Sequence, residues 1–400
     1  MANRLVLALT LLLSPGLVHA QDFAVEGDDV AGRAVLRGVE RLEGAGGFQI
    51  DALRFSKKER QGAPLTLSGQ AQRVAPDALE LRYSRRKGFV NRLLPGPDEE
   101  QVTVRLSALP AGGWGGQLEG LTVRLVPPTV IPADLVVLVV PGLSTNLWNQ
   151  YGVPYLDENL AVLGARGLSA RRLAINTEDS VRANAAVIAR EVRSEVARGK
   201  RVLLIAHSKG GADTITALSL PENRDLLPRV AGLVAIQPVY AGSPVADEVG
   251  RSGLVQSLAD KAFACIFPLI NRVDDTGSPD AVRDLRGEAR RALLAQHPYP
   301  AAEVPTVVVR GSFSGRPLAK WGRHPLCQPL VGLQKFLESQ RGIQSDGMVS
   351  LENQRIPGSV AEHTYDDLDH FEPGFRNESR HTPTAITTRA LELMLPRLKR

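Results

Sequence analysis

Val202-Leu203-Leu204-Ile205-Ala206-His207-Ser208-Lys209-Gly210-Gly211-Ala212 is the stretch that decides the fold. Its first five residues are apolar without interruption, as in a strand covered on both faces. Ser208 follows at the end of that run, with the small residues Ala206 and Gly210 at −2 and +2, and helix-compatible sequence begins directly behind it. A strand that turns abruptly into a helix strains the backbone of the corner residue, and only small neighbours at ±2 avoid a clash. The new helix then aims its N-terminal amides at the space beside the serine oxygen. This junction is the nucleophile-elbow pattern with Ala206 in place of the first glycine, and it predicts Ser208 as a nucleophile. The alternative is a Ser-Gly helix cap after an ordinary core strand.

A serine nucleophile needs a base for its proton, and the base needs an acid to orient it. In a strand–Ser–helix fold the chain order is serine, acid, histidine. Of seven histidines, His297, His324, His363, His370 and His381 follow Ser208. His370, in Asp367-Leu368-Asp369-His370-Phe371, stands just before the helical spacing of Ala385, Ile386, Ala390, Leu391, Met394 and Leu395, where a last strand–helix loop belongs. It is the expected base, with His363 as its rival. Asp346, in Ser345-Asp346-Gly347-Met348-Val349-Ser350, is the expected acid, because Gly347 permits a turn behind the carboxylate; an ordinary Asp-Gly turn is the alternative. Asp366, Asp367 and Asp369 are expected to be solvated or to support the site from behind. An oxyanion hole requires two backbone N–H donors. Lys209 supplies one, and Leu143 or Ser144, in Val140-Pro141-Gly142-Leu143-Ser144, the other. The Lys209 side chain is a cation at a helix N-terminus, which the dipole disfavours. It has three possible destinations: an acidic substrate group, a nearby carboxylate, or solvent.

Outward from the elbow, the pattern divides the chain. Residues 21–128 read as a β-rich domain: Leu79, Leu81 and Tyr83, then Val102, Val104 and Leu106, then Leu121, Val123 and Leu125 alternate with polar residues. Pro95-Gly96-Pro97 and Ala111-Gly112-Gly113 separate such runs. Pro127-Pro128 and Pro132 then mark a stiff connection. Beyond it, in 129–400, apolar runs (Leu135–Val140, Val202–Ala206, Val230–Ile236, Val304–Val309) alternate with helical spacing such as Val181, Ala185, Ile188, Val192 and Val196. That alternation predicts a doubly wound α/β domain with a mostly parallel sheet. The 400 residues are 43% hydrophobic and only 5% aromatic, so the core must come from Val, Leu, Ile and Ala. The net charge of +5 has no clustered basic face behind it, its longest basic run being Arg85-Arg86-Lys87, and nucleic acid is set aside.

Residues 1–20 read as a secretory signal peptide: Arg4, the apolar Leu5–Leu13, the breakers Pro15 and Gly16, and Val18-His19-Ala20 as a cleavage site. An N-terminal anchor is the alternative. No other stretch reaches the length of a transmembrane helix, so the processed chain is expected to be soluble, in the periplasm or outside the cell. Export makes Cys265 and Cys327, the only two cysteines, candidates for a disulfide, the alternative being two buried thiols. Neither has a partner at zinc-site spacing.

Taken in order, Pro141-Gly142-Leu143, Ala206-His207-Ser208-Lys209-Gly210-Gly211, Gly242-Ser243-Pro244-Val245-Ala246-Asp247 and Ser345-Asp346-Gly347-Met348-Val349 resemble the motifs of secreted bacterial lipases and esterases of the α/β-hydrolase superfamily, over roughly residues 134–400. The resemblance implies an α/β-hydrolase fold and a helical lid or cap at about 250–297, with Leu254, Leu258, Ala262, Phe263 and Ile266 on its apolar stripe. It also implies a hydrophobic ester substrate attacked by Ser208 with His370 and Asp346. Pro141 replaces the histidine usual in such lipases and Ala206 the usual glycine. The stretch from Asp346 to His370 lacks the family's clear calcium-binding pattern, and no cofactor is expected. Extracellular polyester depolymerases share an Ala-His-Ser elbow, which keeps a polyhydroxyalkanoate substrate open, and a catalytically silent binding protein on this fold is the alternative outside enzymes.

Overall fold

The computed structural model describes residues 20–27, 29–55, 62–86, 99–110, 112–127, 131–150, 152–248, 280–313, 327–376 and 381–399. The expected leader before Ala20, Cys265, and the 250–279 part of the expected lid with its apolar stripe lie outside them.

The alternating N-terminal runs become strands β1 (Ala20–Glu26), β2 (Val30–Arg37), β3 (Ala45–Arg54), β4 (Ala63–Ala75), β5 (Ala78–Arg86), β6 (Glu99–Ala108), β7 (Trp114–Leu118) and β8 (Leu121–Val126). Each pairs antiparallel with the next, and β8 returns to β1 through Val25↔Leu125, closing an eight-stranded barrel. Closure removes the unpaired edges that an open sheet would expose. The period of two sorts the side chains: Leu79, Leu81 and Tyr83 join Val25, Leu36, Ile50, Leu106 and Leu125 in the interior, while Glu80 and Arg82 pair outside. Leu118 and Leu121 are joined by Glu119 and Gly120, at φ 50° and 75°, the two-residue turn whose twist matches a hairpin.

The second domain holds β9 (Leu135–Val140), β10 (Ser169–Arg172), β11 (Arg201–His207), β12 (Val230–Ile236), β13 (Thr306–Gly311) and β14 (Ala361–Tyr365), paired parallel throughout in the order β10-β9-β11-β12-β13-β14. Between and beyond them run α1 (Thr145–Gln150), α2 (Asp157–Ala165), α3 (Val181–Ala197), α4 (Lys209–Ser219), α5 (Pro244–Glu248), α6 (Asp280–Asp284), α7 (Gly287–Gln296), α8 (Cys327–Arg341) and α9 (Pro383–Met394). Alternate residues of each central strand feed opposite cores. Val137, Val139, Leu203 and Ile205 pack with Val162 of α2 and Ile386 and Leu391 of α9. Leu138, Val140, Leu204 and Ala206 pack with Ile188 and Val192 of α3 and Ile215 and Leu218 of α4. This double cover is why the strand sequences show no polar alternation. Strand order reverses at β9, so the loops after β9 and β11 leave the sheet side by side, the usual location of a site in such sheets.

The barrel leans on this domain through the outer faces of β2 and β3, where Ala31, Leu53 and Phe55 join the core under α2 and α9. Glu26 is buried at that seam. Arg166 reaches it at 2.9 Å and Arg124 at 3.4 Å, and Arg124 also pairs with Glu392 of α9. Burial pushes the Glu26 carboxyl up to about 7; Arg166 opposes the rise and the hydrogen-bonded Glu392 carboxyl adds to it. The folded chain therefore holds a proton that the unfolded chain has released. The stability this confers is fully present below the ordinary value of 4.5 and is lost as pH rises to about 7. Glu26→Gln, which mimics the protonated carboxyl, should flatten that decline. Urea midpoints at half-unit pH steps test this, and wild-type and variant curves that stay parallel from pH 4.5 to 7.5 would count against it.

Candidate active site

Ser208 sits where β11 becomes α4, at φ 57° and ψ −125°, a conformation that a non-glycine residue adopts only under constraint. The constraint is close packing of the new helix on its neighbours. A Cβ at Gly210 would stand 2.5 Å from the Pro141 carbonyl oxygen and 2.6 Å from that of Val140, so α4 could not approach the end of β9 with any larger residue there. Ser208 N–H donates to the Ile236 carbonyl at 3.1 Å, tying the corner to β12.

The His370 loop follows β14, and its Nε2 lies 2.7 Å from Ser208 Oγ. His370 Nδ1 is 2.8 Å from Asp346 Oδ2. The Asp346 carboxylate is fully buried. Its Oδ1 accepts from the Met348 and Val349 amides at 2.9 and 2.7 Å, and its Oδ2 also accepts from Gln354 Nε2 at 3.1 Å. Gly347, at φ 96°, makes the turn that bends those amides back onto the carboxylate. His370 N–H donates to the Asp346 carbonyl at 3.0 Å, so the two loops are also joined through the backbone. The structure thus brings together the three side chains named from the sequence. His363 does not share the site: it lies on β14 with its ring 4.5 Å from Tyr365. Asp369 accepts from the Phe371 and Glu372 amides at 2.7 and 3.0 Å, shaping the turn that carries His370.

Opposite His370, the loop after β9 passes over Ser208. Pro141 has no N–H, and the Gly142 N–H donates to Tyr155 Oη at 3.0 Å. Among the described residues, neither the Leu143 nor the Lys209 N–H is paired with an acceptor. The Lys209 side chain goes to neither solvent nor substrate. It is fully buried, with Nζ 2.9 Å from both carboxylate oxygens of Asp213, one helical turn on. Burial pushes Asp213 up to about 6, with Lys209, Asn184 and Arg290 pulling it back. Arg290 of α7, also buried, donates to Thr216 Oγ1 at 2.9 Å and to the Tyr240 carbonyl at 3.1 Å. Burial lowers its guanidinium to about 10. The i, i+4 spacing of Lys209 and Asp213 is readable from sequence, but a solvated pair would read the same.

A cavity of about 50 Å³ opens over Ser208, walled by Leu143, Trp148, Met348, Phe371 and Phe375. Trp148 meets Phe371 and Phe375 edge-on at 6.2 and 5.3 Å. Leu143 comes from the loop after β9, Trp148 from α1, and Met348, Phe371 and Phe375 from the loops bearing Asp346 and His370; the last four were not singled out from sequence because isolated apolar residues in short segments carry no period. Tyr155, Gln354 and Asp213 were missed for the same kind of reason: their partners are distant in sequence or fold-dependent. Among the described residues no group of three or more His, Cys, Asp or Glu side chains could hold a metal, and no helix is long and apolar enough to cross a membrane.

No protein-family model matches this sequence, and no curated protein does. Solved structures do match. The metagenomic carboxyl esterase MGS0156 superposes with a TM-score of 0.51 at 22% identity, covering 68% of this chain and 79% of its own. Bacillus licheniformis lipase BlEst2 in mature form gives a TM-score of 0.47 at 18% identity, covering 66% and 93%. Lipase 1 from Pelosinus fermentans gives 0.48 at 13%, covering 65% and 98%. At such identities the likeness is one of fold, and it rests on the esterase match together with the strand order and elbow described above. The chain carries a domain of the α/β-hydrolase fold, similar in fold to that metagenomic carboxyl esterase.

Proposed function

We propose that the protein is an exported serine carboxylic-ester hydrolase of the lipase and esterase kind, acting on hydrophobic esters. The observation that carries this is the unbroken line Ser208 Oγ–His370 Nε2 at 2.7 Å and His370 Nδ1–Asp346 Oδ2 at 2.8 Å beneath an apolar cavity. Ser208 Oγ attacks the ester carbonyl while His370 Nε2 takes its proton, and Asp346 stabilises the resulting imidazolium. The oxyanion is held by the N–H groups of Leu143 and Lys209. Collapse of the tetrahedral intermediate breaks the C–O bond, and His370 returns the proton to the leaving alcohol. Water, deprotonated by His370, then releases the acid from Ser208 by the same steps. The walls of Trp148, Met348, Phe371 and Phe375 favour an apolar acyl group by excluding water from it.

An ester panel with an active-site label tests this. The expected result is turnover of p-nitrophenyl butyrate or palmitate, with one equivalent of an organophosphonate bound at Ser208 by peptide mass analysis. No label and no turnover would make the domain a binding protein. Erosion of polyhydroxybutyrate films with no turnover of the soluble esters would instead make it a polyester depolymerase. N-terminal sequencing of the exported chain should begin at Gln21.

A further inference from the structure

Gly142 N–H donates to Tyr155 Oη at 3.0 Å, Tyr155 Oη lies 2.6 Å from His207 Nδ1, and His207 Nε2 lies 3.1 Å from the His370 carbonyl oxygen. The chemistry of the end groups gives this line one direction. A carbonyl oxygen can only accept, so His207 Nε2 carries the hydrogen. A neutral imidazole has a single N–H, so Nδ1 is an acceptor and the Tyr155 hydroxyl donates to it. A lone pair on Tyr155 Oη is then free to receive the Gly142 N–H. Protonating His207 or ionising Tyr155 would break the order. Burial, seconded by the nearby His370, holds His207 down to about 3 against the opposing pull of the His370 carbonyl and the Gln237 carboxamide. Burial also raises the Tyr155 phenol.

Packing holds the same line. The Tyr155 ring stacks on Phe375 at 4.8 Å, and Leu156 N–H donates to the Gly374 carbonyl at 2.7 Å. A Cβ at Gly374 would come within 2.3 Å of the Tyr155 ring, and one at Gly142 within 2.9 Å of its hydroxyl and 3.0 Å of Ser208 Cβ. Tyr155 therefore fills a slot that only glycines leave open, between the loop bearing Leu143 and the loop bearing His370.

We propose that Tyr155 and His207 are positioning residues, forming one directed hydrogen-bond chain that locks the oxyanion loop to the loop of the catalytic base. The proposal rests on the ester-hydrolase function and extends it to two side chains outside the proton transfers. Without an acceptor for Gly142 N–H, the loop is released to turn, and the neighbouring Leu143 amide loses its aim at the oxyanion. One lost oxyanion donor costs about 10²–10³ in kcat, so a loosened one should cost about 10- to 100-fold. Ground-state binding is untouched, so KM should hold.

The experiment compares wild type, Tyr155→Phe, His207→Gln, His207→Leu and Tyr155→Phe/His207→Leu in kcat, KM, affinity for a trifluoromethyl ketone analogue, and thermal midpoint. Tyr155→Phe should lower kcat and analogue affinity by the same factor, about 10- to 100-fold, with KM within about twofold. His207→Leu should lose at least as much, and the double variant no more than His207→Leu, because both cut one chain. His207→Gln, whose amide can still donate to the His370 carbonyl, should recover part of the loss. Tyr155→Phe at wild-type kcat and affinity, in an enzyme that Ser208→Ala inactivates, overturns the chain alone. Activity that survives Ser208→Ala overturns the function beneath it. ¹⁵N NMR of histidine-labelled wild type gives a readout independent of turnover: His207 should be a neutral Nε2–H imidazole from pH 5 to 8. An Nδ1–H tautomer, or titration in that range, overturns the chain.

Discussion

Ser208→Ala should lower kcat/KM for p-nitrophenyl butyrate by at least about 10⁴-fold, because removing a triad nucleophile leaves only the contribution of binding and the oxyanion hole. A 10⁴-fold loss corresponds to about 5.5 kcal/mol of transition-state stabilisation. No other side chain among the described residues stands where Ser208 does, at hydrogen-bond distance from His370 Nε2 beside the unpaired Leu143 and Lys209 amides. The variant should fold, since alanine meets the same backbone strain at φ 57° and loses only one hydrogen bond. Matched circular dichroism spectra with steady-state kinetics make the comparison. A variant that hydrolyses the ester at the wild-type rate would remove Ser208 from the mechanism.

Asp213→Ala should be among the most destabilising single changes outside the reacting groups, at about 3–5 kcal/mol, because it strands the buried Lys209 ammonium without its counter-charge. Both side chains are only 1% exposed, and Lys209 Nζ reaches both carboxylate oxygens at 2.9 Å. Arg290 is a second buried cation close enough to act on Asp213, so the loss removes a carboxylate that faces two positive groups. Asn184 Nδ2, which donates to Asp213 at 3.1 Å, loses its acceptor as well. Replacing the pair together, Lys209→Met with Asp213→Leu, should recover much of the loss, since apolar groups of similar volume carry no desolvation cost. Urea unfolding of wild type and the two variants measures this. If Asp213→Ala lies within about 1 kcal/mol of wild type, the pair is not the anchor that its burial implies.

How much could be read in advance depended on how local each signal was. Val202–Ala206 and Ser208-Lys209-Gly210-Gly211 specify strand, corner and helix within eleven residues, because burial pattern and steric demand at ±2 are local properties. Leu79, Leu81 and Tyr83 show by their period which face of β5 is inside, but not that β8 would return to β1. That pairing joins Val25 to Leu125, and no local pattern encodes a contact across so much chain. Lys209 is the sharpest case. Its sequence left substrate, carboxylate and solvent open, and only the packed surroundings of α4, where Asn184 of α3 also meets Asp213, show it turned inward to that carboxylate.

The sequence by itself determined the fold class, the division into a β-rich and an α/β part, and which serine, histidine and aspartate to examine. These follow from periodicity, turn chemistry and the chain order of a known arrangement. The tertiary structure decided the distances: 2.7 and 2.8 Å along the Ser208–His370–Asp346 line, and the Gly142–Tyr155–His207–His370 chain beside it. Hydrogen bonds and ion pairs act over about 3 Å. They depend on where separate loops end in space, which follows from the packing of the whole sheet and its helices.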